Sequence, residues 1–202
     1  HRRDRRRALA PLRVRMRVIA GEAKGRQLVA PKGTGTRPAT DRIRESLFAI
    51  LEPALPGERV LDLFAGAGTL GIEALSRGAL HATFVERSKD AVAALRTNLR
   101  ACGFEGRADV APTNVLSFLD APIAVPYEIV LCDPPFADVA ILEAVLARLA
   151  IGGALAPRAI VVARALKKHR PVIPPAAEAY RTRDLGEEVL LFLRYRGAGG
   201  GG

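Results

Sequence analysis

The chain has 202 residues, of which 49% are hydrophobic and 26% are charged, a balance typical of one globular domain. No apolar run approaches the roughly 18 residues of a membrane span, and no signal-peptide pattern is present. The two cysteines do not form a Cys-x-x-Cys pair, which speaks against a disulfide framework or a cysteine zinc site. We therefore expect a reduced, cytoplasmic protein.

The net charge of +10 is spread unevenly along the chain. Residues 1–15, HRRDRRRALAPLRVR, contain seven arginines and one aspartate, so they contribute +6 and residues 16–202 carry only +4. We predict that residues 1–15 are a disordered basic extension and that the folded protein begins near Met16. A nucleic-acid tether remains the alternative for this extension. The glycine-rich residues 197–202 are predicted to be a flexible tail.

An N-terminal unit over residues 16–57 precedes the alternating part of the chain. Two short β-prone runs around a glycine-containing turn predict a hairpin within residues 16–30. After a loop rich in glycine, threonine and proline, the apolar residues Ile43, Leu47, Ile50 and Leu51 share one face of a helix. Pro53 ends that helix.

From residue 58 to residue 196 strands and helices alternate, which predicts a doubly wound α/β domain with a mostly parallel sheet. Strands are expected over residues 59–64, 81–86, 107–112, 127–133 and 158–165. Helices are expected over residues 69–78, 88–103, 114–120 and 137–150. Two further β-prone runs, 179–186 and 187–195, predict a closing antiparallel pair.

A glycine loop follows the first of these strands. Gly66, Gly68 and Gly71 spell G-x-G-x-x-G, and such glycines let the backbone turn sharply and approach a ligand. Glu86 lies 20 residues after Gly66, at the end of the next strand. A carboxylate there can accept hydrogen bonds from both ribose hydroxyls, so the pair indicates an adenosine-type ligand.

Two cofactors compete for this loop, a dinucleotide and S-adenosyl-L-methionine. Asp62 precedes the loop, where a negative charge repels a pyrophosphate but suits an ammonium group or an ordered water. The loop also carries an extra pair, Phe64 and Ala65, before its first glycine. Both features favour the methyl donor.

A second motif, Asp133-Pro134-Pro135-Phe136, ends the strand YEIVLCD. The prolines contribute no N–H groups, so the strand tip presents hydrogen-bond acceptors, namely the Asp133 carboxylate and backbone carbonyls. The carboxylate and the Pro134 carbonyl can bind the two N–H groups of an exocyclic base amine, and Phe136 can stack on the base. This arrangement predicts methylation of a base amine without a metal. A nucleophilic Cys132 is a weaker alternative, because this residue lies inside the strand.

Several segments together resemble the bacterial small-subunit ribosomal RNA guanine-N2 methyltransferases. The resemblance runs from Met16 to about Tyr195. It rests on MRVIAGEAKGRQL, RPATDRIRESLFAIL (37–51), LDLFAGAGTLGIEALSRGA (61–79), FVER (84–87) and DPPF (133–136). It implies an α/β, Rossmann-like class I S-adenosylmethionine-dependent methyltransferase with a seven-stranded, mostly parallel sheet and a small N-terminal hairpin-plus-helix extension. It also implies 16S ribosomal RNA as the substrate, within a partly assembled small subunit.

The resemblance further implies roles for individual residues. Asp62, Gly66 and Gly68 would line the methionine end of the donor, with Phe64 and Ala65 beside them. Glu86 would hold the ribose, next to Arg87. The adenine edge would contact Asn114 and the backbone of Val115.

The basic residues that precede the catalytic domain give a separate prediction, which rests on charge. RNA phosphates would meet this group, namely Lys24, Arg26, Arg37, Arg42 and Arg44.

Other function classes stay open at this point. An adenine-N6 DNA methyltransferase needs the same amine chemistry. A nicotinamide-dependent oxidoreductase would use the glycine loop for a dinucleotide. A catalytically silent RNA-binding module would bind RNA and ignore the methyl donor.

Overall fold

The alternating pattern after residue 58 produces one seven-stranded sheet with helices on both faces. The structure is a computed structural model that describes residues 16–32, 38–135 and 138–197. The predicted extension at residues 1–15 and most of the glycine tail lie outside the described residues. A small hairpin and a helix precede the sheet. Strands β1 (Met16–Arg17) and β2 (Gln27–Leu28) pair antiparallel over two residues, and helix α1 spans Asp41–Leu51.

The main sheet has the spatial order β5-β4-β3-β6-β7-β9-β8. Its strands are β3 (Arg59–Leu63), β4 (His81–Val85), β5 (Ala108–Ala111), β6 (Tyr127–Cys132), β7 (Leu155–Leu166), β8 (Ala177–Leu185) and β9 (Glu188–Tyr195). The first five of these run parallel, and β9 pairs antiparallel with both β7 and β8. The prediction of a mostly parallel sheet with a closing antiparallel pair is confirmed.

The helices that connect the strands follow the predicted order. They are α2 (Thr69–Ser76), α3 (Lys89–Cys102), α4 (Val115–Asp120) and α5 (Val139–Ile151). Helix α3 begins and ends as its sequence predicts, because Ser88 caps its first turn and Gly103, at φ 72°, closes it. Within the described residues, no helix has both the length and the apolar character that a membrane span requires.

Each face of the sheet has its own apolar layer. Val60 and Ile129 pack in the layer beneath α1, α2 and α3. Leu61 and Val130 point to the opposite face and pack with α4 and α5. Both faces of β3 and β6 are therefore buried, and this is why the sequences of these two strands are almost continuously apolar.

The N-terminal unit is joined to the α/β domain through α2. Glu73 of α2 is fully buried and accepts hydrogen bonds from the backbone N–H groups of Ile19 and Ala20, at 2.9 and 3.0 Å. The same carboxylate lies 3.5 Å from the Arg44 guanidinium of α1 and 2.9 Å from Nε of Arg77. Residues of the hairpin and of α1 also share the apolar layer of α2 and α3. The unit over residues 16–57 therefore has no core separate from that of residues 58–196.

Candidate active site at the carboxyl edge of the sheet

The register of the central strands brings the predicted site residues to one rim. Leu63, the last residue of β3, pairs with Val85 of β4 on one side and with Cys132 of β6 on the other. The next residues in the chain are Phe64, Glu86 and Asp133. Because neighbouring strands lie about 4.8 Å apart, the two carboxylates flank Phe64 at the same edge of the sheet.

The glycine loop leaves β3 through an unusual backbone conformation. Phe64 adopts φ 60°, Gly66 φ 57° and Gly68 φ 86°. A non-glycine residue with positive φ is strained and persists only where its surroundings hold it, typically at functional sites. Here the half-buried Phe64 starts the turn that carries the loop over the rim.

Glu86 holds this loop in place. Its carboxylate accepts hydrogen bonds from the backbone N–H groups of Gly66 and Ser88, both at 2.8 Å. Each carboxylate oxygen has a second lone-pair site, so Glu86 can still accept from ribose hydroxyls. The sequence predicted the carboxylate at this position but not its contact with the loop. Arg87, which follows it, is exposed at the rim.

Gly66 leaves room above the loop. A Cβ added at this glycine would have no described heavy atom within 4 Å. Gly71 differs, because a Cβ there would lie 2.3 Å from a ring carbon of Phe84. The first glycine thus faces open space where a ligand can approach, while Gly71 allows α2 to pack on the sheet.

Asp62 requires a correction to its predicted role. Its side chain is 1% exposed and accepts a hydrogen bond from the backbone N–H of Gly71 at 2.9 Å. Burial raises the pKa of Asp62 to about 8, and the neighbouring carboxylates Asp133 and Glu86 add to this rise. Asp62 therefore supports the loop from beneath as a largely protonated acid, whereas the sequence predicted a charged group that faces the donor.

The predicted adenine residues lie at the first turn of α4. Asn114 caps this helix, since its Oδ1 accepts a hydrogen bond from the backbone N–H of Ser117 at 2.8 Å. Val115 is the first residue of the helix, and a helix leaves its first N–H groups without intrahelical partners. The cap thus uses the side-chain oxygen of Asn114 and leaves the Val115 N–H for an acceptor.

Ala65, the second residue of the pair that precedes the glycine loop, is buried and donates its N–H to the carbonyl of Val85.

Asp133 has a charged partner that the sequence did not predict. The Nε of Arg164 in β7 lies 2.6 Å from Oδ1 of Asp133, and its NH1 lies 3.6 Å from Glu188 in β9. Both members of the short pair are largely buried. Burial raises the pKa of Asp133, and the charge and hydrogen bond of Arg164 oppose that rise.

The prolines after Asp133 border a surface groove at the same rim. Pro134 is buried and Pro135 is exposed, and both line this groove together with Arg164 and His169. Phe136, the predicted stacking ring, lies outside the described residues. Cys132 is buried in the sheet, and burial raises the pKa of its thiol, which argues against a thiolate nucleophile.

The basic residues predicted to bind RNA divide into two groups. Lys24, Arg26 and Arg42 are exposed, and Arg37 lies outside the described residues. Arg44 is 1% exposed, donates to the backbone carbonyl of Arg17 at 2.8 Å and pairs with acids of α1 and α2. The structure thus contradicts the prediction that Arg44 binds phosphate, because its buried guanidinium instead connects α1 to the hairpin and to α2.

Comparison with known proteins places this arrangement in a family. The sequence profile of the family described as conserved hypothetical protein 95 matches residues 16–194. Ribosomal RNA small subunit methyltransferase D of Escherichia coli is 38% identical over 173 residues, which cover 85% of this chain and 86% of that protein. The protein of the same name from Haemophilus influenzae is 37% identical and covers 79% and 83%.

Solved structures agree with these sequence matches. The yhhF protein of Escherichia coli, provisionally assigned as a methyltransferase, superposes with a TM-score of 0.80 at 34% identity and covers 90% of this chain and 98% of that one. An RNA methyltransferase from Salinibacter ruber in complex with S-adenosyl-L-homocysteine has a TM-score of 0.60, covering 80% and 95%; at 16% identity this shows a shared fold alone. The chain therefore belongs to the conserved hypothetical protein 95 family, and it is similar to the methyltransferase D proteins of the small ribosomal subunit along most of their length.

Proposed function

We propose that this chain is an S-adenosyl-L-methionine-dependent methyltransferase that modifies the exocyclic N2 amine of a guanine in 16S ribosomal RNA. The observation that carries the proposal is the strand register, which sets Glu86 and Asp133 on either side of Phe64 at one rim. The relatives named ribosomal RNA small subunit methyltransferase D support the substrate class. We infer that the enzyme acts in the cytoplasm, on a partly assembled small subunit.

The residues of the rim suit a methyl donor better than a dinucleotide. Three carboxylates, Asp62, Glu86 and Asp133, lie close enough for their charges to interact. A pyrophosphate above the same loop would bring further negative charge next to this cluster of acids, which is unfavourable. S-adenosyl-L-methionine instead carries a sulfonium and an ammonium group, and it supplies an electrophilic methyl group. Glu86 would hold its ribose, the open space above Gly66 would admit its amino-acid end, and the Val115 N–H would meet its adenine.

The Asp133 motif would bind the amine that receives the methyl group. An exocyclic base amine is a poor nucleophile, because its lone pair is delocalised into the ring. The Asp133 carboxylate and the Pro134 carbonyl would accept the two N–H groups and turn the lone pair out of the ring plane. Correct alignment of two bound reactants contributes roughly 7–11 kcal/mol to lowering a barrier. Phe136 would stack on the guanine ring.

Arg164 would favour the ionised, hydrogen-bond-accepting form of Asp133. A buried carboxyl tends to hold its proton, and a protonated Asp133 would lose one of the lone pairs that the amine needs. The 2.6 Å contact with Arg164 favours the ionised form and holds one oxygen, Oδ1. The other oxygen would face the base. Arg164 thus acts on the reaction through Asp133.

The main competitor is an adenine-N6 DNA methyltransferase, which needs the same acceptors. The two are separated by offering purified protein a labelled methyl donor with undermethylated small ribosomal subunits, with their isolated rRNA and with duplex DNA. We expect label in rRNA and none in DNA. Label in DNA adenine alone would overturn the proposal.

Asp133→Ala tests the amine site within the same assay. This variant should lose transfer by at least about 100-fold, since it removes a preorganised acceptor at the reacting nitrogen. Its affinity for S-adenosyl-L-homocysteine should stay at the wild-type value in calorimetry. Asp120→Ala, at an exposed aspartate that ends α4 and pairs with Arg148, provides the matched control. Transfer by Asp133→Ala at the control rate would contradict the assigned role.

A further inference from the structure

The positive charge of the folded chain is concentrated near its C-terminal end. Residues 16–163 contain 16 lysines and arginines and 16 aspartates and glutamates, so this long stretch has no net charge. Residues 164–196 contain eight basic and four acidic residues, which account for the whole excess of +4. The N-terminal unit, where the sequence predicts the RNA contacts, lies within the stretch that has no net charge.

The fold brings these charges to the rim that carries Asp133. Strand β7 runs parallel to β6, so Lys167, Lys168 and His169, which follow β7 directly, lie at the carboxyl edge of the sheet. In β9, Leu190 pairs with Arg164 on one side and with Arg183 of β8 on the other. Arg183 in β8 lies three strand spacings across the sheet from β6, the strand that Asp133 follows. With neighbouring strands about 4.8 Å apart, this is a distance of about 14 Å.

Five basic residues form what we name the β7–β8 basic surface: Lys167, Lys168, Arg170, Arg181 and Arg183. All five are exposed. His169, within the same turn, lines the groove that Pro134 and Pro135 border, so this surface adjoins the amine site directly.

Part of this surface is neutralised and part is not. Asp184 lies 3.2 Å from Lys167 and 3.4 Å from Arg170. Among the described residues, no carboxylate forms an ion pair with Lys168, Arg181 or Arg183. Arg183 donates a hydrogen bond to the hydroxyl of Ser46 at 3.3 Å. Three charges therefore remain available to a polyanion on the approach to the groove.

We propose that the β7–β8 basic surface binds the phosphates of the RNA strand that flanks the target guanine. This inference rests on the proposed function and specifies the path of its substrate. A base reaches such a pocket only when it leaves its stack, so the backbone beside it must cross the rim. Phosphate contacts fix the position of that backbone without reading its sequence. The surface supplies these contacts on the side of Asp133 opposite to the glycine loop.

A triple variant, K168Q/R181Q/R183Q, tests the surface. Binding to undermethylated small-subunit rRNA is measured at several salt concentrations. The plot of log association constant against log salt concentration has a negative slope, and this slope should become shallower by about two. Each single-strand phosphate contact contributes about 0.7 to it, and three contacts are removed. The KM for rRNA should rise, and affinity for S-adenosyl-L-homocysteine should match the wild-type value, which shows that the variant is folded.

The matched control removes three exposed arginines elsewhere, R96Q/R100Q/R158Q. It makes the same change in net charge and should retain the wild-type slope and KM. If the K168Q/R181Q/R183Q variant also retains both while wild-type protein methylates rRNA, the surface assignment is overturned and the proposed function stands. If wild-type protein neither binds nor methylates rRNA, both are overturned.

Discussion

At the scale of single residues, the site is a set of carboxylates whose surroundings give them different states. Glu86 is held by two backbone N–H groups, Asp62 is buried against one, and Asp133 is paired with a guanidinium. The same chemical group thus supplies a loop anchor, a buried support whose pKa is raised, and an acceptor that is paired with an arginine. Environment, more than residue type, assigns the roles.

The pair of Asp133 with Arg164 predicts a pH effect. Arg164 opposes the rise that burial causes in the pKa of Asp133, so Arg164→Gln should raise that pKa further. The acidic limb of the profile of kcat/KM against pH should move upward by about one to three units, because methyl transfer needs the ionised carboxylate. Arg164→Lys keeps the charge and should move the limb much less. A Gln variant whose profile overlays that of the wild type would exclude this role.

Asp62 predicts a pH dependence of stability. The folded protein holds the Asp62 proton up to about pH 8, whereas the unfolded chain releases it near the ordinary value of 3.8. Unfolding therefore releases a proton between these values, so the free energy of unfolding contributed by this group falls as pH rises through that window. Asp62→Asn keeps an acceptor for Gly71 and should show a flatter dependence in urea unfolding at several pH values. Equal slopes for both proteins would contradict a raised pKa.

At the scale of elements, α2 is the part that connects the N-terminal unit to the catalytic rim. Its N-terminus carries the glycine loop, and its buried Glu73 binds the hairpin backbone and Arg44 of α1. Asn98 of α3 extends this connection, since its side chain bonds to Val29 and to the carbonyl of Ala67 in the glycine loop. The segment after β2 is thereby fixed beside the loop.

Glu73→Ala measures the strength of this connection. The change removes the acceptor of two backbone N–H groups and the carboxylate beside the buried Arg44, which keeps its contacts with Arg17 and Asp41. Breaking a buried pair by removing one partner costs about 3–5 kcal/mol. Urea unfolding should report a loss of that size. Glu45→Ala, on the exposed side of α1, is the control and should alter the free energy of unfolding by no more than about 0.5 kcal/mol. A Glu73 variant as stable as this control would show that the network contributes nothing.

At the scale of the whole molecule, the sequence predicts the order of strands and helices, but it does not predict which charged side chains pair with each other across the fold. Strand and helix periodicities, the cap at Ser88 and the turn at Gly103 are local signals, and the structure follows them. The contact between Asp133 and Arg164 depends on which strand lies beside β6, and local patterns do not contain that information. A signal was present, however, because Arg164 is a charged residue inside the apolar run IVVARA.

Arg44 illustrates a different kind of error. It precedes Leu47 by three residues and Phe48 by four, so helical periodicity alone sets it on the buried face of α1. Its charge suggested a surface position, but the buried Glu73 that pairs with it lies 29 residues further along the chain. The composition of the C-terminal part likewise carried a signal, the excess of basic residues after residue 163, which gains meaning only once the sheet order places it beside Asp133.

The central claim is that the rim of this sheet joins a methyl group to the exocyclic amine of a guanine. The most direct test is to identify the methylated nucleoside by mass spectrometry after purified protein acts on small subunits from cells that lack the enzyme. The account predicts N2-methylguanosine at one site in the rRNA, formed by wild-type protein and not by Asp133→Ala. Label recovered on a ribose, on a ring nitrogen or on a carbon of the base would contradict it.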